Sequence, residues 1–356
     1  MDIIPAMRES SAAPLISVVI PNYNGAGYLE ACLQSLLRQS YSAVEIVVVD
    51  NGSTDDSAHI VSRVAPGAVW RSLAGNQGFA AAVNEGIRTA RGSWIAVLNN
   101  DTEAAPDWLA ECAAAAERHP EASFLACRIL DFSNRDRIYG AGDCFLRAGI
   151  GYRRGQEQSD QGKYRIEEET FSACGCAALY RKSALEERAG FDDRFFAYLE
   201  DVELGIRLQT AAHSGWYIPG AVVYHHGGAT SGGEFSPLAV RLRTRNALLL
   251  ILKSLPGRII GRCAFRIAFA QLFWLARVIA HGRLWSYLRG LAGLLPLMPA
   301  MLGARKSLKR VGRRPAERLW AAILRSESMA RKDVVEQQGI RTSLFLDWYF
   351  RLFPGD

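Results

Sequence analysis

The chain has 356 residues, 49% of them apolar and 22% charged, a mix that excludes a disordered or fibrous protein and accommodates one large α/β domain with an appendage. Its net charge of +6 conceals an uneven split: residues 1–240 hold 20 Lys/Arg against 30 Asp/Glu, whereas residues 241–356 hold 22 against 6. No acidic residue falls between Arg241 and Ala316, so the tail is expected to meet an anionic surface. The seven cysteines are scattered without a CxxC pair, which indicates neither a zinc site nor a disulfide framework. The opening residues MDIIPAMRESSAAP lack a basic segment followed by an apolar one, so a reducing cytoplasm is the expected compartment.

Along the chain, the apolar run LISVVI (15–20) predicts a strand stopped by Pro21-Asn22-Tyr23-Asn24-Gly25, and Leu29, Cys32, Leu33, Leu36 and Leu37 predict a helix after it. VEIVVV (44–49) repeats the pattern and ends at Asp50-Asn51-Gly52-Ser53-Thr54-Asp55. Another helix follows, then a strand at Val69–Ser72, a helix from Gly78 to Thr89, and a strand Trp94–Leu98 that ends at Asn99-Asn100-Asp101. Short strands alternating with helices imply a parallel sheet covered on both faces, and such sheets bind ligands beyond the carboxyl ends of their strands. Three polar clusters at three such ends predict one composite site. Residues 131–170 are less regular. An amphipathic helix is expected around Glu200–Gln209, and AVVYHH predicts a late strand that runs into a Gly-rich loop.

Each cluster has a plain structural alternative. Asp50 can accept hydrogen bonds from a nucleobase or ribose, or it can cap a helix. Asn51 offers a donor and an acceptor that match a uracil or thymine edge. Asp101 can bind a hard cation that also holds a diphosphate, or it can shape a turn. Glu200, Asp201 and Glu203 suit a helix N-terminus, and one of them can serve as general base. Phe195, Phe196 and Tyr198 can form an apolar wall. His225 can ligate a metal.

Read in order, SVVIPNYNGAGYLEACLQSLLRQSY, EIVVVDNGSTDDS, NQGFAAAVNEGI, VLNNDTE, GCAALYRKSALEERAGFDDRFFAYLEDVELGIRLQTAAHSGW, VYHHGGATSGG and RTRNALLLILKSLP resemble the family 2 glycosyltransferases, in particular their bacterial rhamnosyltransferase-like branch. The resemblance implies an α/β GT-A fold, a mixed sheet with helices on both faces, over residues 15–255, preceded by an extension (1–14) and followed by a basic helical region (256–356). It implies inverting transfer from a nucleotide-diphosphate sugar to a hydroxyl of a glycan or lipid-linked acceptor, with rhamnose among the candidate sugars and cell-surface polysaccharide synthesis as the setting. Asp201 takes the base position, and Asp101 with His225 holds Mg²⁺ or Mn²⁺. Pro21, Asn22, Tyr23, Asp50, Asn51, Asn76, Gly78, Asn84, Asn99 and Asn100 face the donor, with dTDP or UDP favoured, and Gly175, Tyr198 and Glu200 face the acceptor. Asn51 and Asn99 depart from the family's commoner Asp at those positions.

In the tail, the longest charge-free runs, Ile267–Ala276 and Leu291–Ala304, fall short of a bilayer span. Arg258, Arg262, Arg266 and Arg277 share one arc of a helical wheel, with Phe269, Phe273 and Ile279 outside it, which reads as an interfacial helix. The cluster Arg305, Lys306, Lys309, Arg310, Arg313 and Arg314 suits anionic head groups, giving a peripheral location on the inner face of the plasma membrane. A homo-oligomer surface is the competing reading, and nucleic acid is disfavoured because no reader motif is present. A dehydrogenase is excluded because Gly25-Ala26-Gly27-Tyr28-Leu29-Glu30 lacks the third glycine. A pyrophosphorylase would need a Gly- and Lys/Arg-rich loop, and a non-catalytic scaffold would not need both Asp101 and Asp201.

Overall fold

The computed structural model describes residues 13–160, 162–227, 232–310, 313–335 and 343–355. Most of the expected N-terminal extension, the middle of the Gly-rich loop, and the side chains of Lys309 and Arg310 lie outside the described residues.

Strands β1 (Ile16–Asn22), β2 (Val44–Asp50), β3 (Val69–Ser72) and β4 (Trp94–Leu98) alternate with helices α1 (Ala26–Leu37), α2 (Ser57–Val64) and α3 (Phe79–Thr89). β4 is buried at every position, as expected of a central strand covered on both faces. Val18 and Ile20 of β1 face one core with Leu29, Leu33 and Ile60 of α1 and α2, whereas Val19 faces the other with Ala80 and Val83 of α3. This division follows from the two-residue side-chain period of a strand.

The chain continues through β5 (Thr102–Ala104), α4 (Trp108–Arg118), β6 (Ala122–Asp131), β7 (Ile138–Ala141), β8 (Asp143–Phe145), β9 (Gly151–Arg153), β10 (Glu168–Glu169), β11 (Ala177–Arg181), α5 (Lys182–Glu187), α6 (Glu200–Thr210) and β12 (Ser214–His225). The large sheet runs β10-β12-β6-β11-β4-β1-β2-β3. Parallel pairing holds from β3 to β4, but β11 inserts antiparallel to both β4 and β6, so the sheet as a whole is mixed. The late strand starts at Ser214, seven residues before the apolar run that signalled it, because Trp216 and Tyr217 pair with Leu125 and Ala126 of β6.

Among the described residues, the α-helices that follow are α7 (Pro237–Ser254), α8 (Gly257–Ala280), α9 (Leu284–Ala292), α10 (Met298–Arg310), α11 (Arg313–Val335) and α12 (Leu344–Leu352). Ser236 caps α7 by accepting from the Ala239 N–H, with Pro237 in the first turn, where its missing N–H costs nothing. These helices are built onto the middle segment. Phe145 and Ile206 share a core with Leu249, Met301, Leu319 and Ile323. Ser326 Oγ accepts from the Phe145 N–H at 2.7 Å, and Glu327 pairs with Arg147. Asp333 accepts from the hydroxyls of Tyr152 and Tyr164, each at 2.6 Å. Phe269 and Phe273, expected on a lipid-facing side, instead pack against Phe345 of α12, a neighbour that a helical wheel cannot reveal. The exposed apolar residues of α8 are Phe265, Leu272 and Ile279, spaced by seven. Gly257–Ala280 and Leu284–Lys306 are long and apolar enough to cross a membrane by length and composition, since isolated arginines do not interrupt them.

Candidate active site

β1 lies between β2 and β4: the chain runs outward from β1 through β2 to β3 and then crosses back to β4, so β1 is the switch point of the strand order, where such sheets bind ligands beyond the carboxyl ends. The three polar clusters meet there. Asn22 is the junction: its Nδ2 donates to Asp50 Oδ1 at 3.3 Å and to Ser53 Oγ at 3.2 Å, while its Oδ1 accepts from Asn100 Nδ2 at 2.7 Å. A Cβ at Gly25 would collide with both Asn22 and Asn100, so glycine is required to seat this junction. Asp50, only 5% exposed, also accepts from the Ser53 N–H at 3.1 Å. It caps no helix, because α2 starts seven residues later. Tyr23 stands 41% exposed at the rim beside Pro21.

Asn51 does not present a free amide. Its Nδ2 donates to Gly78 O at 3.0 Å and Asn76 Oδ1 at 3.2 Å, and its Oδ1 accepts from the Gln77 N–H at 2.9 Å. The residue therefore shapes the 76–78 turn, where Gly78 (φ 93°) lies against the backbone of Phe196. Asn84, expected among the donor contacts, likewise uses both ends of its amide, on the Phe191 backbone and the Asp193 carboxylate. It secures the turn ahead of the aromatic segment. A sequence motif cannot separate such a strut from a ligand contact, since both need the same amide.

The register Thr102↔His225 between β5 and β12 sets Asp101 beside His225. His225 Nε2 lies 3.2 Å from Asp101 Oδ1, and both residues are 4% exposed. Burial works against the ionised form of Asp101, but the His225 hydrogen bond and charge outweigh it and hold the carboxyl below its usual range. His225 Nδ1 and the neighbouring Asn99 Oδ1 are buried without a hydrogen-bond partner. The facing Asp101 Oδ1 and His225 Nε2 are a donor pair that fits a divalent ion. Octahedral Mg²⁺ or Mn²⁺ with bonds of about 2.1 Å sets adjacent ligands roughly 3.0 Å apart, near the observed spacing.

Asp201 enters from α6. Its Oδ2 accepts from the Gly175 N–H at 2.9 Å, and its Oδ1 from the Val202 N–H at 2.8 Å. Cys176 O accepts from the Asn99 N–H, so one short loop joins the Asp201 carboxylate to the end of β4. Glu200, its neighbour, is 6% exposed with Oε2 unpartnered, and burial and then the Asp201 charge push its carboxyl well above the usual range. Glu203 is structural: fully buried, it accepts from Lys253, Ser254 and Arg207.

Residues 17–189 match the family model described as Glycosyl transferase family 2. That segment, just under half of the chain, belongs to this family. Among relatives of the transferase, N-acetylglucosaminyl-diphospho-decaprenol L-rhamnosyltransferase of Mycobacterium tuberculosis is 28% identical over 243 residues, covering 62% of this chain and 78% of that protein. A PGL/p-HBAD biosynthesis glycosyltransferase of Mycobacterium bovis is 34% identical over 156 residues, covering 40% and 61%. Among solved structures, GalNAc-T7 with UDP, GalNAc and Mn²⁺ gives a TM-score of 0.53 at 16% identity, covering 76% of this chain and 57% of that one. S. aureus TarS 1-349 in complex with UDP gives 0.50 at 19%, covering 90% and 88%. These two bear on the fold alone and agree with a GT-A-type sheet plus C-terminal helices.

The glycosyltransferase also contains parts that sequence reasoning passed over. Phe196, Tyr198 and Leu199, just ahead of Asp201, all have positive φ (65°, 71° and 68°). Asn246 of α7, fully buried, holds this turn: its Nδ2 lies 2.9, 2.8 and 2.7 Å from the carbonyls of Phe195, Ala197 and Tyr198. Arg245 adds bonds to Arg194 O and Phe195 O. Phe195, a candidate for an apolar wall at the site, is instead wholly in the core. The RTRN string carried the signal, but only its geometry reveals its task.

Proposed function

We propose that the chain is an inverting, metal-dependent glycosyltransferase that uses a dTDP- or UDP-sugar, with rhamnose the leading candidate, and a lipid-linked glycan acceptor. The carrying observation is Asp201: a carboxylate oriented by two backbone N–H groups and tied through Cys176 and Asn99 to the Asp101–His225 pair. Asp201 takes the proton from the acceptor hydroxyl as that oxygen attacks the anomeric carbon, and the nucleotide diphosphate leaves from the opposite face, so one displacement inverts the centre. Asp101 and His225 hold the divalent ion, which when bound supplies countercharge to the departing diphosphate. Asp50 keeps acceptor capacity for the ribose or the base imide, a task the engaged Asn51 amide leaves to it. The buried Glu200, kept neutral, lines the acceptor side with Gly175 and Tyr198.

The acceptor reading leans on the 28% identical relative, which is named for N-acetylglucosaminyl-diphospho-decaprenol. A polyprenyl acceptor requires the enzyme to reach a bilayer. The exposed apolar residues of α8 and the basic tail suit peripheral attachment to the inner face of the plasma membrane in cell-surface polysaccharide synthesis.

The test is nucleotide diphosphate release from a panel of UDP-, dTDP- and GDP-sugars with glycosyl-diphospho-polyprenol acceptors, whose sugar carries the free hydroxyls. Asp201→Asn should lose about 10²–10⁴-fold in kcat while nucleotide affinity by calorimetry persists. Asp101→Ala and EDTA should each abolish turnover. Parental turnover by Asp201→Asn, or tighter binding of GDP than of dTDP and UDP, overturns the reading.

A further inference from the structure

Beneath Asp201, the segment Cys174-Gly175-Cys176 brings two thiols to 3.4 Å. Asp143 completes the group: single ligand atoms of Asp143, Cys174 and Asp201 all lie within 4.8 Å of one another. Cys174, Cys176 and Asp143 are 5%, 6% and 5% exposed, and Asp143 Oδ1 has no hydrogen-bond partner. A buried carboxylate oxygen left without a partner costs free energy unless something occupies the space before it. The Asp101–His225 chemistry does not use this oxygen or either sulfur.

We propose that Cys174, Cys176, Asp143 and Asp201 form a second metal site, which takes a soft divalent cation of the zinc class and inhibits the enzyme when filled. Tetrahedral Zn²⁺ with Zn–S bonds of about 2.3 Å separates its two sulfurs by roughly 3.8 Å, so the thiol pair opens by a few tenths of an ångström, and Cys176, which lies outside the three-residue group, turns toward Asp143 and Asp201. Gly175, between the two cysteines, supplies the backbone freedom for that movement. Ligand type sets the selectivity: two thiolates favour Zn²⁺, Cd²⁺ or Co²⁺, whereas the oxygen and imidazole donors of Asp101 and His225 accept Mg²⁺ or Mn²⁺. Electrostatics allow four anionic ligands in one place. Arg153 is paired with Asp143 across β8 and β9 and sits 4.6 Å over the Tyr139 ring, and its charge acts on Asp143, Cys174 and Cys176. An ion with two thiolates and two carboxylates carries a net −2, which this guanidinium halves. On binding, the metal replaces the thiol protons, which pass to solvent, and no oxidant is required. The ion would take the Asp201 oxygen from the acceptor hydroxyl. That inhibitory step rests on the proposed base role of Asp201, but metal binding itself does not.

The experiment titrates Co²⁺ into the full chain with Mg²⁺ in excess. One equivalent should produce a thiolate-to-cobalt charge-transfer band in the near ultraviolet and intense tetrahedral bands in the visible. Zn²⁺ should bleach both. Cys174→Ser and Cys176→Ser should each weaken the charge-transfer band and together abolish it, and Asp101→Ala should retain it. In the Mn²⁺-supported assay, Zn²⁺ should slow the parent at least tenfold, while the double serine variant, measured against its own Zn²⁺-free rate, should resist. No charge-transfer band, or one that survives in the double variant, overturns the site. A full cobalt spectrum with turnover unimpaired by Zn²⁺ overturns the inhibitory role, and it counts against Asp201 as base without touching the metal site.

Discussion

Asn246→Ala removes the clamp on the turn that delivers Asp201. Asn246 has two N–H donors, shared among three carbonyls at 2.7–2.9 Å. Its loss leaves two buried acceptors unsatisfied, at about 1–3 kcal/mol each, or roughly 2–6 kcal/mol together. The turn itself holds three non-glycine residues at positive φ, each storing about 1–3 kcal/mol of strain. The clamp and the strain are thus of the same size, and without the clamp the turn relaxes toward negative φ. The helix start at Glu200 moves with it, and a displacement of about 1 Å at a reacting group can cost 10²-fold in rate. The expected result is a kcat roughly 10²-fold lower, an unchanged KM for the donor, unchanged calorimetric affinity for the nucleotide diphosphate, and a lower Tm. Asn246→Gln, which keeps both donors on a longer arm, should recover part of the rate. A variant that loses stability but turns over at the parental kcat would show that the clamp serves folding alone and would refute the argument.

Lys253→Met strips Glu203 of one of its cations while Arg207 and Ser254 remain, and should cost about 3 kcal/mol in urea unfolding; a loss under half that would show Arg207 suffices. Because the Glu200 carboxyl is raised by burial, the native state holds a proton that the unfolded chain releases, so its contribution is complete below the ordinary Glu range and is lost as pH rises through the raised value. The parent's Tm should therefore fall more between pH 5 and pH 8 than that of Glu200→Gln, and parallel slopes would contradict this. Phe265→Glu with Leu272→Glu should release the protein from anionic liposomes without altering nucleotide affinity, and salt should release part of the parent. If the parent ignores such liposomes, the α8 face is an oligomer surface. Point substitutions are the right tool, because cutting the chain at 258 would remove the Ser326, Glu327 and Asp333 contacts of the middle segment.

The parallel half of the sheet was readable because β1, β2 and β4 are continuous apolar runs that end in polar clusters, and those clusters are the strand ends that meet at Asn22. The antiparallel insertion of β11 was not, since Ala177–Arg181 has no pattern that tells strand direction. Asn51 and Asn84 were identified as polar and well placed, but only coordinates reveal that their amides are already engaged. The Asp143–Cys174–Cys176 group escaped a search for CxxC because its thiols are separated by one residue, and because Asp143 arrives from a segment with no legible pattern. In the tail, the wheel separated charge from aromatics, yet the aromatic side belongs to α12, which lies more than 60 residues further along the chain.

The bonds from α11 to the middle segment span about 180 residues of chain, as between Phe145 and Ser326. A ribosome adding roughly 5–20 residues per second needs about 9–36 s to cover that distance. The parallel strands β1 to β4, whose partners in the parallel ladder lie close in sequence, emerge early and can fold while synthesis continues. The Tyr152 and Tyr164 hydroxyls and the Arg147 guanidinium must wait for Asp333 and Glu327 to leave the exit tunnel. During elongation the parallel strands can therefore be in place while the segment from Phe145 to Tyr164 still lacks its α11 partners.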